Sequence, residues 1–243
     1  MNFPKIYGFN KCTEAGKNLF APSIFLGGCN LRCPYCMNSA LVTDRFLDII
    51  PIEEIRDRVK AESADFVMIS GGEPTCTDTS LLMNLFEEIR SWGCGIGMST
   101  NGVNREALRP LLAHVNYIAL DIKTSRADKY SEIGGDITDV ILSKSFLTEE
   151  KQKREGEDLD CEEFDFEVRT TLYPLFVDLA DIHAIGQIIK KDETWVLQQF
   201  RQTKNMLGLK EGEVLPYPSP SEQLRELIDT AKTYSDNVVL RFV

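Results

Sequence analysis

Three cysteines lie within eight residues in the segment GGCNLRCPYCMN, which spans residues 27–38. Cys29, Cys33 and Cys36 follow one another at spacings of four and three residues. Cysteine thiolates are the usual ligands of iron-sulfur clusters, and three of them leave one iron of a four-iron cube without a protein ligand. Such an open iron can bind a cofactor or a substrate. The cysteine spacing therefore predicts a reactive iron-sulfur centre.

Other uses of the three cysteines fit less well. A zinc site needs four ligands, and His114 and His183 are distant in the sequence and fall within helical patterns. Structural cysteines are often buried singly, but not three to a short loop. An odd total of seven cysteines favours metal ligands in a reducing, cytoplasmic compartment over disulfides. The other four are scattered, and Cys76 is the best candidate for an extra reactive thiol.

Short apolar runs alternate with amphipathic stretches along the chain, which is typical of repeated β-α units with a parallel sheet. The predicted strands are Ser23–Leu26, Phe66–Ser70, Gly95–Ser99, Tyr117–Asp121, Phe164–Thr171, Thr194–Gln199 and Val238–Phe242. The predicted helices are Pro51–Ala61, Ser80–Trp92, Asn104–Leu112, Thr138–Leu147, Asp181–Ile189 and Ser221–Lys232. Right-handed crossovers curl such units in one direction, so the pattern predicts an α/β fold with an open, partial (β/α)6-type TIM barrel.

Polar motifs stand at the carboxyl ends of the predicted strands, where barrel enzymes place their active sites. Ser70–Pro74 reads SGGEP, and 99–102 reads STNG. Asp121 and Lys123 follow the fourth strand, and Arg169 lies in the fifth. For these three residues an ordinary ion pair at the rim of the barrel remains an alternative to a role in ligand binding.

Composition and charge narrow the class of protein. The chain has 243 residues, 43% of them hydrophobic and 27% charged, as in one soluble globular domain spanning 1–243. It has no apolar run long enough to span a membrane and no signal-like amino terminus. A formal net charge of -11 argues against a broad surface for nucleic acid or anionic membranes. The charged segment 148–163 is predicted to be a solvated insertion.

The cysteine segment resembles the CxxxCxΦC motif of the radical S-adenosylmethionine (SAM) superfamily, with Tyr35 as the aromatic residue. The resemblance implies a [4Fe-4S] cluster whose open iron is chelated by SAM. It also implies reductive cleavage of SAM to a 5'-deoxyadenosyl radical. Gly71, Gly72, Glu73 and Pro74 match the superfamily's GGEP motif, in which glycines allow close backbone approach, and the carbonyls of the motif and Glu73 would accept hydrogen bonds from the SAM ammonium.

Along nearly the whole chain the sequence is similar to the activating proteins of anaerobic ribonucleoside-triphosphate reductase. The similarity lies in the motifs above and in Lys129-Tyr130, Arg169-Thr170-Thr171 and 197–201, which reads LQQFR. It implies that Lys123 pairs with the SAM carboxylate, that Asp121 binds the ribose, and that Ser99, Asn101 and Arg169 lie near SAM. It also implies a glycyl-radical enzyme as partner and flavodoxin or ferredoxin as electron donor.

Two departures from that group keep other substrates open. Met37 stands where many members have histidine, and Ser99 stands where aspartate is frequent. An alternative is a radical SAM enzyme that acts directly on a small molecule, a peptide or a modified nucleobase. A second alternative, from another class, is a non-catalytic iron-sulfur protein for electron transfer or sensing. That protein would not need the GGEP, STNG and Asp121–Lys123 motifs.

Overall fold

The computed structural model describes residues 2–14, 20–43, 48–156, 163–203, 206–208 and 222–242. Its strands are β1 Ile6–Glu14, β2 Phe20–Leu26, β3 Phe66–Gly71, β4 Gly95–Thr100, β5 Tyr117–Asp121, β6 Asp165–Leu172, β7 Thr194–Gln199 and β8 Asn237–Phe242. Its helices are α1 Ser39–Thr43, α2 Ile52–Ala61, α3 Thr79–Ser91, α4 Arg105–Leu111, α5 Ala127–Glu132, α6 Ile137–Gly156, α7 Leu179–Gly186 and α8 Glu222–Tyr234. None of the described helices is long and apolar enough to cross a membrane.

All eight strands form one sheet in the order of the sequence. Strands β2 to β8 pair in parallel, and β1 pairs antiparallel with β2 at the edge. Among the described residues, β1 and β8 each pair with one neighbour, so the sheet does not close. Six β-α units followed by β8 give the open, partial barrel that the sequence predicted.

The two faces of the parallel sheet bury different side chains, because successive residues of a strand point to opposite faces. In β5, Ile118 and Leu120 belong to the main hydrophobic core with the helices. Tyr117 and Ala119 pack in a second, smaller apolar cluster. Asp121 continues the alternation of Tyr117 and Ala119 at the carboxyl end of the strand. The sheet therefore presents a polar rim above the small apolar cluster.

Three elements were missed by the sequence prediction: β1, α1 and α5. Strand β1 has the sequence IYGFNKCTE, and its polar residues interrupt the apolar run by which the other strands were predicted. An edge strand tolerates such residues because only one of its sides pairs with the sheet. Helices α1 and α5 have five and six residues, too few to show a helical repeat.

Helix α6 continues nine residues beyond the predicted end at Leu147 and covers 148–156 of the charged segment. The guanidinium of Arg154 donates hydrogen bonds to the backbone oxygens of Leu112 and Val115. The side chains over 148–156 are half-buried or exposed. The sequence prediction ended the helix where the apolar periodicity ends. The helix continues because ion pairs between side chains four residues apart, such as Glu150 and Arg154, can stabilise it without apolar residues. Residues 157–162 lie outside the described part of the chain.

Candidate active site

A cavity of about 300 Å³ opens at the carboxyl ends of the parallel strands. Its lining includes most of the residues singled out from sequence: Tyr35, Cys36, Gly71, Gly72, Glu73, Ser99, Asn101, Asp121, Lys123 and Arg169. Cys29, Cys33 and Pro74 are the predicted site residues outside this lining. Motifs separated by more than a hundred residues of sequence therefore share one cavity, because parallel strands end at the same edge of the sheet.

Hydrogen bonds within the cysteine loop fix its shape. The Cys36 amide donates to the Cys33 carbonyl at 3.0 Å, and the Leu31 amide donates to Cys29 Sγ at 3.4 Å. The Arg32 guanidinium reaches back to the Cys29 carbonyl at 2.6 Å. Cys29, Cys33 and Cys36 are free thiols in this loop. The loop thus places three thiols on one short, hydrogen-bonded turn.

The environment of the thiols suits a cationic iron group. Burial raises the pKa of Cys29 and Cys36, and it raises the pKa of Cys33 to about 11. Repulsion by Cys36 and Cys29 contributes to this raised pKa of Cys33, and the Lys123 charge acts in the opposite direction. Iron binding would remove the cost of charging sulfurs this close together. Within the described residues, no three His, Cys, Asp or Glu side chains are arranged to hold a single metal ion.

The glycines of the SGGEP segment bring two loops together. A Cβ at Gly72 would lie 1.8 Å from the carbonyl oxygen of Gly28, and Gly71 has a φ of +107°. The Gly72 amide donates to the Leu26 carbonyl at 2.8 Å, and the Glu73 amide donates to the Gly28 carbonyl at 2.7 Å. These glycines therefore allow the close approach of β3 to the strand and loop that carry the cysteines. The atoms nearest to an added Cβ at either glycine belong to the protein backbone.

Glu73 lies beside the cavity but is only 2% exposed. Its Oε1 accepts hydrogen bonds from the Thr75 amide, the Thr75 hydroxyl and the Thr100 hydroxyl. Its Oε2 accepts one from the Asn101 amide at 2.7 Å. Burial raises the pKa of Glu73, and these hydrogen bonds counteract that shift. Pro74 begins the short 3₁₀ turn Pro74–Cys76 directly after Glu73 and is buried.

The β4 loop contacts the cysteine loop through a side chain. Asn101 Nδ2 donates to Asn30 Oδ1 at 2.7 Å and lies 3.9 Å from Cys29 Sγ. Its Oδ1 accepts from the Val103 amide at 3.0 Å. Ser99 lies in β4, two residues before Asn101. It is 8% exposed and borders the same cavity.

Three charged side chains form a bridge across β5 and β6. Asp121 and Arg169 are direct neighbours in the strand register, and Asp121 Oδ1 accepts from Arg169 Nε at 2.9 Å. Lys123 Nζ lies 3.0 Å from Asp121 Oδ2. Burial opposes ionisation of Asp121, but the two cations outweigh it and lower its pKa. The ion pairs considered from sequence therefore exist, and they hold one carboxylate between two cations.

This charged bridge carries one net positive charge, because two cations share a single carboxylate. Burial disfavours the Lys123 ammonium, but Asp121 and the Cys33 sulfur outweigh it and raise the pKa of Lys123. All three side chains border the cavity. Such a site can accept an anionic group such as a carboxylate through charge-assisted hydrogen bonds.

The wall formed by the ends of β6 and β7 was not among the predicted site residues. It comprises Thr171, Gln198, Gln199, Phe200 and Arg201. Thr171 Oγ1 donates to Gln198 Oε1 at 3.3 Å, across neighbouring positions of β6 and β7. The aromatic ring of Phe200 packs on Tyr173 with centroids 4.9 Å apart, and Tyr173 packs on Tyr35. The LQQFR segment was a visible signal, but sequence alone gave it no chemical role.

Two further cysteines, Cys76 and Cys94, are described by the structure. Burial raises the pKa of Cys76 to about 11, with further repulsion from Glu73 and Cys29, so its reactive thiolate is disfavoured. Cys94 is buried and donates to the Ala64 carbonyl at 3.0 Å. The side chain of Cys12 and all of Cys161 lie outside the described residues.

Comparison with known proteins defines the class. Residues 23–142 match the radical SAM superfamily. A protein of Methanocaldococcus jannaschii named "Putative glycyl-radical enzyme activating enzyme" is 33% identical over 228 residues, which cover 90% of this chain and 88% of that protein. The chain belongs to the radical SAM superfamily, whose enzymes use a [4Fe-4S] cluster and SAM. The class expected from the cysteine motif is thus confirmed.

Other relatives are more partial. The 7-carboxy-7-deazaguanine synthase of Haemophilus influenzae is 31% identical over 133 residues, covering 54% of this chain and 58% of that protein. The structure of Streptococcus suis SuiB bound to SAM matches this chain with a TM-score of 0.58 at 15% identity. The match covers 89% of this chain and 48% of the SuiB chain. The likeness to SuiB confirms the open, partial barrel. This chain spans about half the length of SuiB.

Proposed function

We propose that this radical SAM enzyme installs a glycyl radical on a partner protein of the anaerobic ribonucleotide reductase kind. The observation that supports this most is the similarity to the M. jannaschii protein, because it extends over 90% of the chain. It thus spans more than the 120 or so residues that match the superfamily at large. The alignment with the M. jannaschii protein is long enough to include the motifs at the ends of β6 and β7.

The residues in and beside the cavity have distinct tasks in this proposal. Cys29, Cys33 and Cys36 ligate the cluster, and Tyr35 packs beside it. Lys123 and Arg169, held by Asp121, bind the SAM carboxylate, and Asp121 also faces the ribose. Gly71, Gly72, Glu73, Pro74, Ser99 and Asn101 form the cofactor-facing loops. When bound and reduced, the cluster and SAM supply an organic radical that removes one hydrogen atom from the substrate.

A glycine is a suitable target for such a cavity. It has no side chain and adopts backbone angles that other residues avoid, so a loop containing it can enter a narrow site. The wall formed by Thr171 and Gln198 would then face the incoming loop, with hydroxyl and amide groups suited to a peptide backbone. A flavodoxin or ferredoxin in the cytoplasm would deliver the electron.

The test combines the reconstituted enzyme with a candidate glycyl-radical reductase under anaerobic, reducing conditions. We expect about four irons per chain, formation of 5'-deoxyadenosine and methionine, and a protein-centred radical by electron paramagnetic resonance. The same reductase with its radical-site glycine replaced by alanine is the control and should give no radical. Cleavage of SAM without a protein radical across candidate reductases would contradict the activase role.

A second candidate function is chemistry on a small molecule or a modified nucleobase. It is favoured by the similarity to 7-carboxy-7-deazaguanine synthase over about half of the chain. Deuterium labelling separates the two candidates. A labelled reductase glycine would transfer deuterium to 5'-deoxyadenosine under the activase proposal, and a labelled small molecule would do so under the alternative.

A further inference from the structure

The carboxylate of Glu73 is largely occupied by protein donors. A carboxylate offers about four lone-pair sites; Oε1 accepts from the amide and hydroxyl of Thr75 and from the Thr100 hydroxyl, and Oε2 accepts from the Asn101 amide. The side chain is 2% exposed, so solvent and cofactor have little access to it. To reach the remaining lone pair of Oε2, an ammonium would have to enter this buried network.

The four bonds join the loops after β3 and β4. Thr75 belongs to the β3 loop, whereas Thr100 and Asn101 belong to the end of β4 and its loop. The Glu73 amide also donates to Gly28 beside the first cysteine. One residue therefore connects the cysteine loop to both of these loops.

Asn101 extends this connection to the cluster ligand. Its backbone amide is held by Glu73, while its side-chain amide donates to Asn30 and approaches Cys29 Sγ at 3.9 Å. Hydrogen bonds to ligating sulfurs influence the reduction potential of an iron-sulfur cluster. Because Glu73 holds the backbone of Asn101 in place, it can affect the cluster through Asn101 without contacting the cluster itself.

We propose that Glu73 is a positioning residue that acts through Asn101 on Cys29, and that it does not bind the SAM ammonium. This differs from the role implied by the GGEP resemblance. It rests on the assignment of Cys29 as a cluster ligand and is independent of the final substrate. Glu73→Gln is the sharpest change, because one carboxylate oxygen receives the Thr75 amide and the other the Asn101 amide. Either orientation of the glutamine sets an N–H group against a backbone N–H.

The first measurement compares binding of SAM with binding of an analogue that has hydrogen in place of the α-amino group. Glu73→Gln holoenzyme should bind both compounds about tenfold more weakly, as expected for one disrupted buried hydrogen bond. The preference for SAM over the analogue should equal that of the native enzyme. Glu88→Gln is the matched control, because Glu88 lies on α3 outside the cavity and accepts a hydrogen bond from Trp92, which directly follows that helix. If the ratio of the analogue's Kd to that of SAM falls towards one in Glu73→Gln, Glu73 binds the ammonium and the proposal is overturned.

The second measurement is the midpoint potential of the cluster without SAM, by redox titration with electron paramagnetic resonance. Asn101→Ala removes the amide near Cys29 and should make the potential more negative, and Glu73→Gln should shift it in the same direction. The double variant should shift no further than Asn101→Ala alone, because the two residues act in series. An unchanged potential in Glu73→Gln, or additive shifts, would refute the link.

A third variant keeps the test decisive if Glu73→Gln does not retain its cluster. Thr100→Val removes a single donor to the carboxylate and should give smaller changes of the same sign in both measurements. The same criteria then apply to this variant. The outcome is distinguishable from failure of the proposed function, because neither measurement requires a partner protein or glycyl-radical formation.

Discussion

The two walls of the cavity are built differently. On the side that faces the cofactors in our proposal, Glu73 and Asn101 link three loops through hydrogen bonds as short as 2.7 Å. On the side of β6 and β7, the hydrogen bond from Thr171 to Gln198 is 3.3 Å long, longer than any of those on Glu73. The chemistry requires fixed geometry for its cofactors, whereas recognition of a substrate tolerates adjustable contacts. We therefore expect substitutions on the cofactor wall to have the larger effects.

The largest effect is expected from Cys33→Ser, which replaces the most buried sulfur of the loop. Loss of one of three ligands should abolish stable cluster assembly, with loss of iron and visible absorbance and no measurable SAM cleavage. Cys94→Ser is the control, because Cys94 is buried in the same core but lies outside the thiol loop. Iron content near that of the native protein in Cys33→Ser would show that this sulfur is not a ligand.

Gly72→Ala should have the next largest effect. Its Cβ would lie 1.8 Å from the Gly28 oxygen, so the β3 loop must move away from the cysteine loop. We expect the free energy of unfolding to fall by about 3 kcal/mol, together with reduced iron content. Denaturant unfolding and iron analysis provide the measurement. Gly156→Ala, where the added Cβ has no neighbour within 4 Å beyond the adjoining helix backbone, should behave as the native protein.

Lys123→Ala should weaken cofactor binding while leaving the cluster in place. It removes the ammonium that pairs with Asp121 and, in our proposal, with the SAM carboxylate. Loss of a charged hydrogen bond of about 2 kcal/mol corresponds to a Kd for SAM raised roughly 30-fold. Calorimetry on the holoenzyme would measure it. Lys129→Ala removes a lysine paired with Glu132 and serves as the comparison; equal weakening in both variants would remove Lys123 from the site.

The smallest effect is expected on the opposite wall, from Gln198→Ala. This change removes the amide next to Thr171 and, in our proposal, a contact to the incoming glycine loop. We expect the ratio of glycyl radical formed to SAM cleaved to fall about fivefold, equivalent to roughly 1 kcal/mol. Gln187→Ala, at the exposed end of α7, is the control. A larger loss of SAM affinity than in Lys123→Ala would contradict the division of the cavity into two walls.

The parallel strands were predictable because each buries an apolar run that needs no information from distant parts of the chain. Predicted Tyr117–Asp121 and Thr194–Gln199 coincide with β5 and β7. Strand β1 was not predictable in this way, because its pairing with β2 compensates for polar residues in its sequence. The extension of α6 was missed for a similar reason, since Arg154 is stabilised by carbonyls more than thirty residues away.

The sequence by itself determined the cofactor chemistry and the class of protein, because the three cysteines stand in one loop and their spacing is local. Only the tertiary structure decided what the other motif residues touch. Asp121 meets Arg169 through strand register, and Glu73 turns into the protein to meet Asn101. Such contacts join residues 28 and 48 positions apart. Residue type specifies a donor or an acceptor, but the packing of neighbouring strands selects its partner.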